Sequence, residues 1–195
     1  MTVNWTDELA KQLSWHWDLQ VRPRLDGLTD AEYFWEPVAG MWSVRPRGEG
    51  VGGIEAGGGD FIIDFEFPEP EPPPVTTIAW RLGHLLVGVL GARNATHFGG
   101  PPVDYQTYRY PGTAAEALAE MDRLYDRWIA GVRALDEDRL SQPCREPHFE
   151  TESMAALVLH IHREMIHHCA EIALLRDLYA HWPHSTHDVD TPRAL

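Results

Sequence analysis

One apolar seam dominates the C-terminal third of the chain. Between residues 151 and 180, apolar side chains and one histidine recur every three or four positions, at Met154, Leu157, Ile161, Met165, His168, Ile172, Leu175 and Tyr179. This period is that of an α-helix with one buried face. A helix of this length with such a seam has to pack along its side against other helices.

Three more helices are predicted by the same reasoning, over residues 6–25, 77–97 and 113–135. Pro23 is expected to strain the end of the first, because proline lacks a backbone N–H. Thr76 or Thr77 can cap the second helix. Residues 29–74 form a long Gly- and Pro-rich segment, in which residues 60–67 have the pattern of a short strand that residues 41–44 could join as a hairpin. The sequence thus predicts an all-α bundle of four helices with a long loop between the first two.

Composition narrows the classes of function. A chain of 195 residues with a formal charge of −14 is long enough for one domain, and it has no basic surface for nucleic acid or an anionic membrane. The N-terminus has no signal-peptide pattern, and no apolar run has membrane-spanning length. Two cysteines do not make a disulfide framework, so a cytoplasmic location is expected. One lysine against fifteen arginines hints at a GC-rich bacterial source.

A carboxylate and an imidazole on the seam point to metal binding. Glu164 and His168 are four residues apart, so they point the same way from the predicted helix. An unpaired carboxylate is costly beside a buried seam, and a divalent metal would neutralise it. His84 is the best third ligand, because it interrupts an otherwise apolar helix. Two imidazoles and one carboxylate suit Zn²⁺, and also Fe²⁺ or Ni²⁺.

Neighbouring side chains leave alternatives open. His160 lies one turn before Glu164 and could in part take the role of the third ligand. His167 lies about as close to the face of Glu164 as His168 does. Glu171 could accept a hydrogen bond from the second ring nitrogen of His168.

A metal-free alternative pairs Glu164 with an arginine, such as Arg163 or Arg81. Substrate contacts are considered for a further set of residues, each of which also has a structural alternative, namely a place in the core or an ion pair. This set is His16, Trp42, Arg81 and His160.

Three passages carry a resemblance to a known family: residues 35–44, 75–84 and 162–176. Together with the order of the helices, they resemble the DinB/YfiT superfamily of metal-binding four-helix bundles over about residues 5–180. The resemblance implies one bundle domain over residues 1–181. Residues 182–195 are polar and contain proline and histidine, so a flexible tail is expected there. Glu164 in the middle position is similar to the mycothiol-dependent maleylpyruvate isomerase branch, whose zinc is held by His, Glu and His. That match implies the ligands His84, Glu164 and His168.

The resemblance also implies a type of reaction. Such proteins bring a low-molecular-weight thiol to the metal, which holds a thiolate ready to attack a small electrophile. The expectation is therefore a metal-dependent thiol S-transferase that uses mycothiol or another small thiol. The isomerase has a further C-terminal domain that contributes to its site, so its substrate specificity is not carried over. Two alternatives stay open: a metal-dependent hydrolase, and a non-catalytic metal-binding or stress-response module that forms a homodimer through faces of the bundle.

Overall fold

The computed structural model describes residues 3–183, which are mostly helical. Six helices and three strands follow one another along these residues. Helix α1 is continuous over residues 5–25, with segments Trp5–His16, Trp17–Val21 and Arg22–Leu25, and is followed by α2 (Asp30–Tyr33). Strands β1 (Val44–Pro46), β2 (Ile54–Ala56) and β3 (Phe61–Phe65) come next. Helix α3 covers residues 78–97, with segments Ile78–His84, Leu85–Gly91 and Ala92–His97, and is followed by α4 (Ala114–Arg133), α5 (Glu137–Ser141) and α6 (Met154–His181).

The four long helices were all predicted, and each begins at a side-chain cap. The capping side chain accepts a hydrogen bond from the backbone N–H three residues later, and the caps of α1, α3, α4 and α6 are Asn4, Thr77, Thr113 and Ser153. The short helices α2 and α5 were not predicted. Each is a single capped turn, too short to show an apolar period.

The expected all-α fold needs a correction, because the segment between α1 and α3 contains a sheet. Its three strands are antiparallel in the order β1-β3-β2, and Val44 pairs with Ile63. The predicted strand is present as β3, whereas the predicted partner, residues 41–44, shares only Val44 with β1. A third strand, β2, completes the other edge of β3.

A buried carboxylate ties the sheet together. Asp64 has no exposed surface, and its side chain accepts hydrogen bonds from Arg45 Nε at 2.8 Å, Ser43 N at 2.9 Å and Val51 N at 2.8 Å. These bonds satisfy a charge that would otherwise be costly to bury. The backbone carbonyl of Asp64 accepts a bond from Trp80 Nε1 at 2.9 Å. The sheet is therefore fastened to the first turns of α3.

Two of the long helices contain a π-helical segment. In α1 the segment Trp17–Val21 directly precedes Arg22 and Pro23, and Arg22 N donates to the carbonyl of Trp17, five residues back. Because Pro23 cannot donate a backbone hydrogen bond, the strain expected there is spread over the preceding turn. In α3 the segment Leu85–Gly91 begins directly after His84. One extra residue in a turn rotates everything that follows by about 100° relative to a regular helix.

The core lies among the long helices. Helix α1 contacts α4 and α6, and α3 contacts α4 and α6. Trp17 of α1 stacks on Tyr125 of α4 with ring centroids 4.2 Å apart, and Trp128 of α4 is fully buried. Over residues 3–183, no helix is long and apolar enough to cross a membrane. The predicted tail, residues 182–195, lies outside the described residues apart from Trp182 and Pro183.

Candidate metal centre

Three donor side chains from two helices converge where α3 crosses α6. One nitrogen each of His84 and His168 and one oxygen of Glu164 lie within 4.8 Å of one another. The two imidazole rings meet edge to face, with centroids 4.9 Å apart. His168 Nε2 lies 3.5 Å from Glu164 Oε2. Three half-buried donors on rigid helices leave at least one coordination position open, as in catalytic metal sites.

The orientation of His84 is set by its neighbours. Its Nδ1 lies 2.8 Å from the hydroxyl of Tyr105, which leaves Nε2 for a metal. The ring stacks on Trp80 with centroids 5.6 Å apart and planes at 13°. Gly88 makes room for this arrangement, since a Cβ there would lie 2.1 Å from the Tyr105 hydroxyl.

The charge state of His84 suits a metal ligand. Burial lowers its pKa to about 4, and the neighbouring His168 acts in the same direction, although Glu164 opposes the shift. The imidazole is therefore neutral at pH 7, and in the tautomer whose Nδ1–H donates to the Tyr105 hydroxyl, Nε2 has a free lone pair. A metal requires this neutral form, so the donor set fits a divalent cation.

A carboxylate contacts the second ring nitrogen of His168, the one opposite the Glu164 contact. Its Nδ1 lies 2.9 Å from Glu171 Oε2, and the same carboxylate forms an ion pair with Arg81. A carboxylate on the second ring nitrogen fixes the tautomer of a metal-binding histidine and aims the first nitrogen at the ion. Burial lowers the pKa of Arg81, and Glu171 opposes that effect by stabilising the charged guanidinium.

A second group of donors overlaps the first. His167, His168 and Glu171 also offer donor atoms within 4.8 Å of one another. The His167 side chain is 62% exposed, and Glu171 is already bound to Arg81. This group therefore has one solvated ligand and one ligand whose charge is shared.

His160 belongs to neither group of donors. Its Nδ1 lies 3.8 Å from Glu164 Oε1 and accepts a hydrogen bond from Arg163. Arg163 in turn lies 3.7 Å from Glu164, so the arginine pairing considered for the metal-free alternative is present as a loose contact.

The residues considered for substrate contacts lie at different distances from the three donors. Arg81 and His160 lie beside the donors. Arg81 pairs with Glu171, which contacts His168, and His160 lies 3.8 Å from the Glu164 carboxylate. Trp42 is buried one layer further away, with its ring centroid 6.2 Å from that of Trp80. His16 lines a separate cavity between α1 and α6, and burial lowers its pKa.

Sequence reasoning missed Tyr105 and the role of Gly88. Tyr105 lies in the connection between α3 and α4, where the sequence has no periodic pattern. A glycine within an apolar helix is the signal that could have indicated a close approach at this point.

The comparison with protein families adds an independent observation. The model of the DinB superfamily matches residues 64–172, which are 109 of the 195 residues. The chain belongs to the DinB superfamily. The resemblance seen in the sequence is thereby confirmed, and the matched range includes all three converging donors. Membership in this superfamily suggests a metal-binding protein. No curated protein and no solved structure matches the chain.

Proposed function

We propose that this protein is a divalent-metal-dependent S-transferase that activates a low-molecular-weight thiol for attack on a small electrophile. Its four long helices would form the metal-binding bundle of the DinB/YfiT type. The observation that carries the proposal is the convergence of His84, Glu164 and His168, with a neutral imidazole at His84 and an open coordination position.

The three side chains would hold the ion through His84 Nε2, a Glu164 oxygen and His168 Nε2. Zinc is the first choice by the donor set, with nickel or iron as alternatives. A bound divalent cation supplies positive charge that favours thiolate over thiol at neutral pH. Mycothiol is the first choice of thiol, and bacillithiol or glutathione are alternatives.

Transfer would form one carbon–sulfur bond. The bond from the attacked carbon to its leaving group breaks, and the leaving group departs with the electron pair. The proton lost by the thiol passes to bulk water. The protein's own part is to hold the donor nitrogens in place through Tyr105 and Glu171 and to keep His84 unprotonated.

The thiol transferase and the hydrolase use the same three donors, because a divalent metal lowers the pKa of a bound thiol and of bound water alike. The choice of a thiol rests on the resemblance to family members that bring a small thiol to the metal. A thiol cosubstrate also accords with a reducing cytoplasm as the site of action.

Metal content with matched variants tests the proposal. Protein purified without a metal-affinity tag should contain about one equivalent of metal by elemental analysis. His84→Ala disrupts only the proposed site, whereas His167→Ala disrupts only the overlapping group. The expected result is loss of metal in His84→Ala and retention in His167→Ala. Retention of metal in His84→Ala with loss in His167→Ala would assign the metal to the overlapping group and overturn the proposed ligand set.

Turnover then tests the reaction. Mycothiol, bacillithiol and glutathione are offered separately with monobromobimane, a fluorogenic electrophile. The expected result is metal-dependent conjugation by wild type that is lost in His168→Ala. Unchanged turnover in a His168→Ala protein that has lost its metal would refute the role of the ion. Thiol-independent cleavage of an ester would favour the hydrolase, and stability unaffected by a chelator would favour the non-catalytic module.

A further inference from the structure

A small cavity lies one side chain away from Glu164, beyond His160, between the end of α3, the loop 142–153 and the first turns of α6. Its volume is about 270 Å³. The walls are mostly apolar, with Cys144, Phe149, Ala156 and Leu157, and its polar rim includes Arg93 and His160. This volume is below the range for drug-sized ligands, so the cavity suits a smaller molecule.

The rim connects the cavity to both helices that carry the donors. On the α6 side, His160 lies one turn before Glu164 and within 3.8 Å of its carboxylate. On the α3 side, the Arg93 guanidinium donates to the carbonyl of Gly88 at 2.8 Å, and Gly88 borders the His84 ring. A molecule in the cavity would therefore lie beside His160, which contacts Glu164, and beside Arg93, which contacts the backbone of Gly88 next to the His84 ring.

The loop 142–153 beside the cavity has a defined shape, which hydrogen bonds and unusual backbone angles maintain. Cys144 N donates to the carbonyl of Glu152 at 2.7 Å, and Cys144 Sγ donates to the carbonyl of Phe149 at 3.4 Å. Arg145 and His148 have φ angles of 59° and 69°, which non-glycine residues seldom adopt. Such backbone strain is concentrated at functional sites. The Phe149 side chain is largely exposed at the mouth of the cavity, where an apolar ring could cover a ligand.

The charges around the cavity do not favour an anion. Arg93 Nε lies 3.6 Å from Glu146 Oε2, and His97 Nε2 lies 2.7 Å from the other oxygen of Glu146. The guanidinium thus faces one carboxylate, although its Nε has no hydrogen-bond partner among the described residues. Glu152 adds a second acidic group to the lining, so two carboxylates face one guanidinium. An added negative charge would meet no surplus of positive charge.

We infer that this cavity binds the electrophile of the proposed transfer, and that the electrophile is a small, uncharged and largely apolar molecule. This inference rests on the proposed function for the identity of the ligand as a substrate. The apolar walls would provide affinity by removing hydrocarbon surface from water. Its position one side chain away from Glu164 would bring one end of the molecule towards the thiol.

Binding of a simple probe tests the pocket without any turnover. Ethylbenzene serves as an uncharged apolar probe and benzoate as its charged counterpart, both titrated into metal-loaded wild type by NMR. Ala156→Phe fills the cavity, and Leu159→Phe, at an exposed position on the same helix, is the control. Ethylbenzene is expected to bind wild type and Leu159→Phe equally, and to bind Ala156→Phe at least tenfold more weakly. Benzoate is expected to bind wild type at least tenfold more weakly than ethylbenzene.

Three outcomes would overturn the inference: no ethylbenzene binding to wild type, equal binding to Ala156→Phe, or benzoate binding as tight as ethylbenzene. Metal content separates this failure from failure of the proposed function, because Ala156→Phe leaves all three donors intact and should keep its metal. In the conjugation assay, Ala156→Phe should raise the KM for monobromobimane at least tenfold and leave the KM for the thiol unchanged. Equal effects on both KM values would mean a general structural disturbance and would also refute the assignment.

Discussion

Replacing Gly88 with alanine should weaken metal binding without removing any ligand. Helix propensity by itself gives the opposite expectation, since Gly→Ala in a helix interior stabilises by about 0.5–1 kcal/mol. The structure contains a specific obstacle, because a Cβ at Gly88 would lie 2.1 Å from the Tyr105 hydroxyl and 3.3 Å from His84 Cε1. The new methyl group would occupy the space through which Tyr105 reaches His84.

The size of the effect follows from these distances. Ordinary contact with a Cβ begins at 3.4 Å, so the hydroxyl has to move by at least 3.4 − 2.1 = 1.3 Å. A hydrogen bond of 2.8 Å between Tyr105 and His84 Nδ1 does not survive such a shift. Loss of an outer partner of a metal-binding histidine weakens metal binding by about 10–100-fold. Apo stability should change by less than about 1 kcal/mol, because the lost hydrogen bond offsets the gain in propensity.

Zinc affinity and stability are measured separately in this test. Competition against a chromophoric chelator gives the Kd for zinc, and urea unfolding of the apo protein gives its stability. Gly83→Ala on the same helix is the control. A Cβ at Gly83 would lie 3.1 Å from Ile63 Cδ1, the flexible end of a side chain, and 3.3 Å from Tyr110 Cε1, and no atom of the three donors is among its three nearest contacts. Its zinc affinity should equal that of wild type.

A double-mutant cycle checks the physical reason. Tyr105→Phe removes the hydroxyl and should by itself weaken zinc binding about as much as Gly88→Ala. With the hydroxyl gone, the main clash is gone too, so the double variant should lose little more than Tyr105→Phe alone. Equal zinc affinity in wild type and Gly88→Ala would refute the role of Tyr105 in orienting His84.

Further predictions concern the metal and the fold. Glu171→Gln should weaken zinc binding about tenfold or more by competition titration, because the anion behind the metal-binding histidine is lost. A chelator should lower the Tm of metal-loaded wild type, with a loss of about 2.7 kcal/mol from a free-metal level of 100 times the Kd, and should not affect His84→Ala. Asp64→Ala should cost about 3–5 kcal/mol in urea unfolding, since it removes the buried acceptor of Arg45 Nε, Ser43 N and Val51 N and leaves Arg45 with Glu36 as its remaining ion-pair partner. Burial alone would raise the pKa of Glu32, but hydrogen bonds from Thr29 and Arg176 outweigh it and lower that pKa in the folded state. Glu32→Gln should therefore cost about 1.5–3 kcal/mol near pH 7, and the difference from wild type should vanish as the pH falls through the lowered pKa.

Much of the helical framework could be predicted because its signals are local. The apolar period of α6 and the cap at Thr77 depend on residues a few positions apart, whereas the cap at Ser153 was not predicted. The sheet was only half predicted, since β2 has a single strong strand former, Ile54, and owes its pairing to β3. The single turns α2 and α5 are too short for any periodic signal.

In the candidate site, too, the local spacing of ligands could be predicted, whereas contacts between distant elements could not. The four-residue spacing of Glu164 and His168 places both on one face of a helix, whatever the rest of the chain does. The approach of Tyr105 to His84 and of Arg81 to Glu171 depends on which helices meet and at what rotation. The π segment after His84 changes that rotation by about 100° for the rest of α3, so a regular helical wheel misplaces every later residue.

The sequence by itself determined the four long helices, the carboxylate–imidazole pair on α6 and the resemblance to a metal-binding family. These follow from backbone periodicity and residue type, which are properties of neighbouring positions. The tertiary structure alone decided that Tyr105 contacts His84 and that Arg81 pairs with Glu171, that β2 joins the sheet before α3, and where a cavity lies beside His160. Contacts between distant parts of the chain are selected by packing as a whole, because each depends on the shape and rotation of several elements at once.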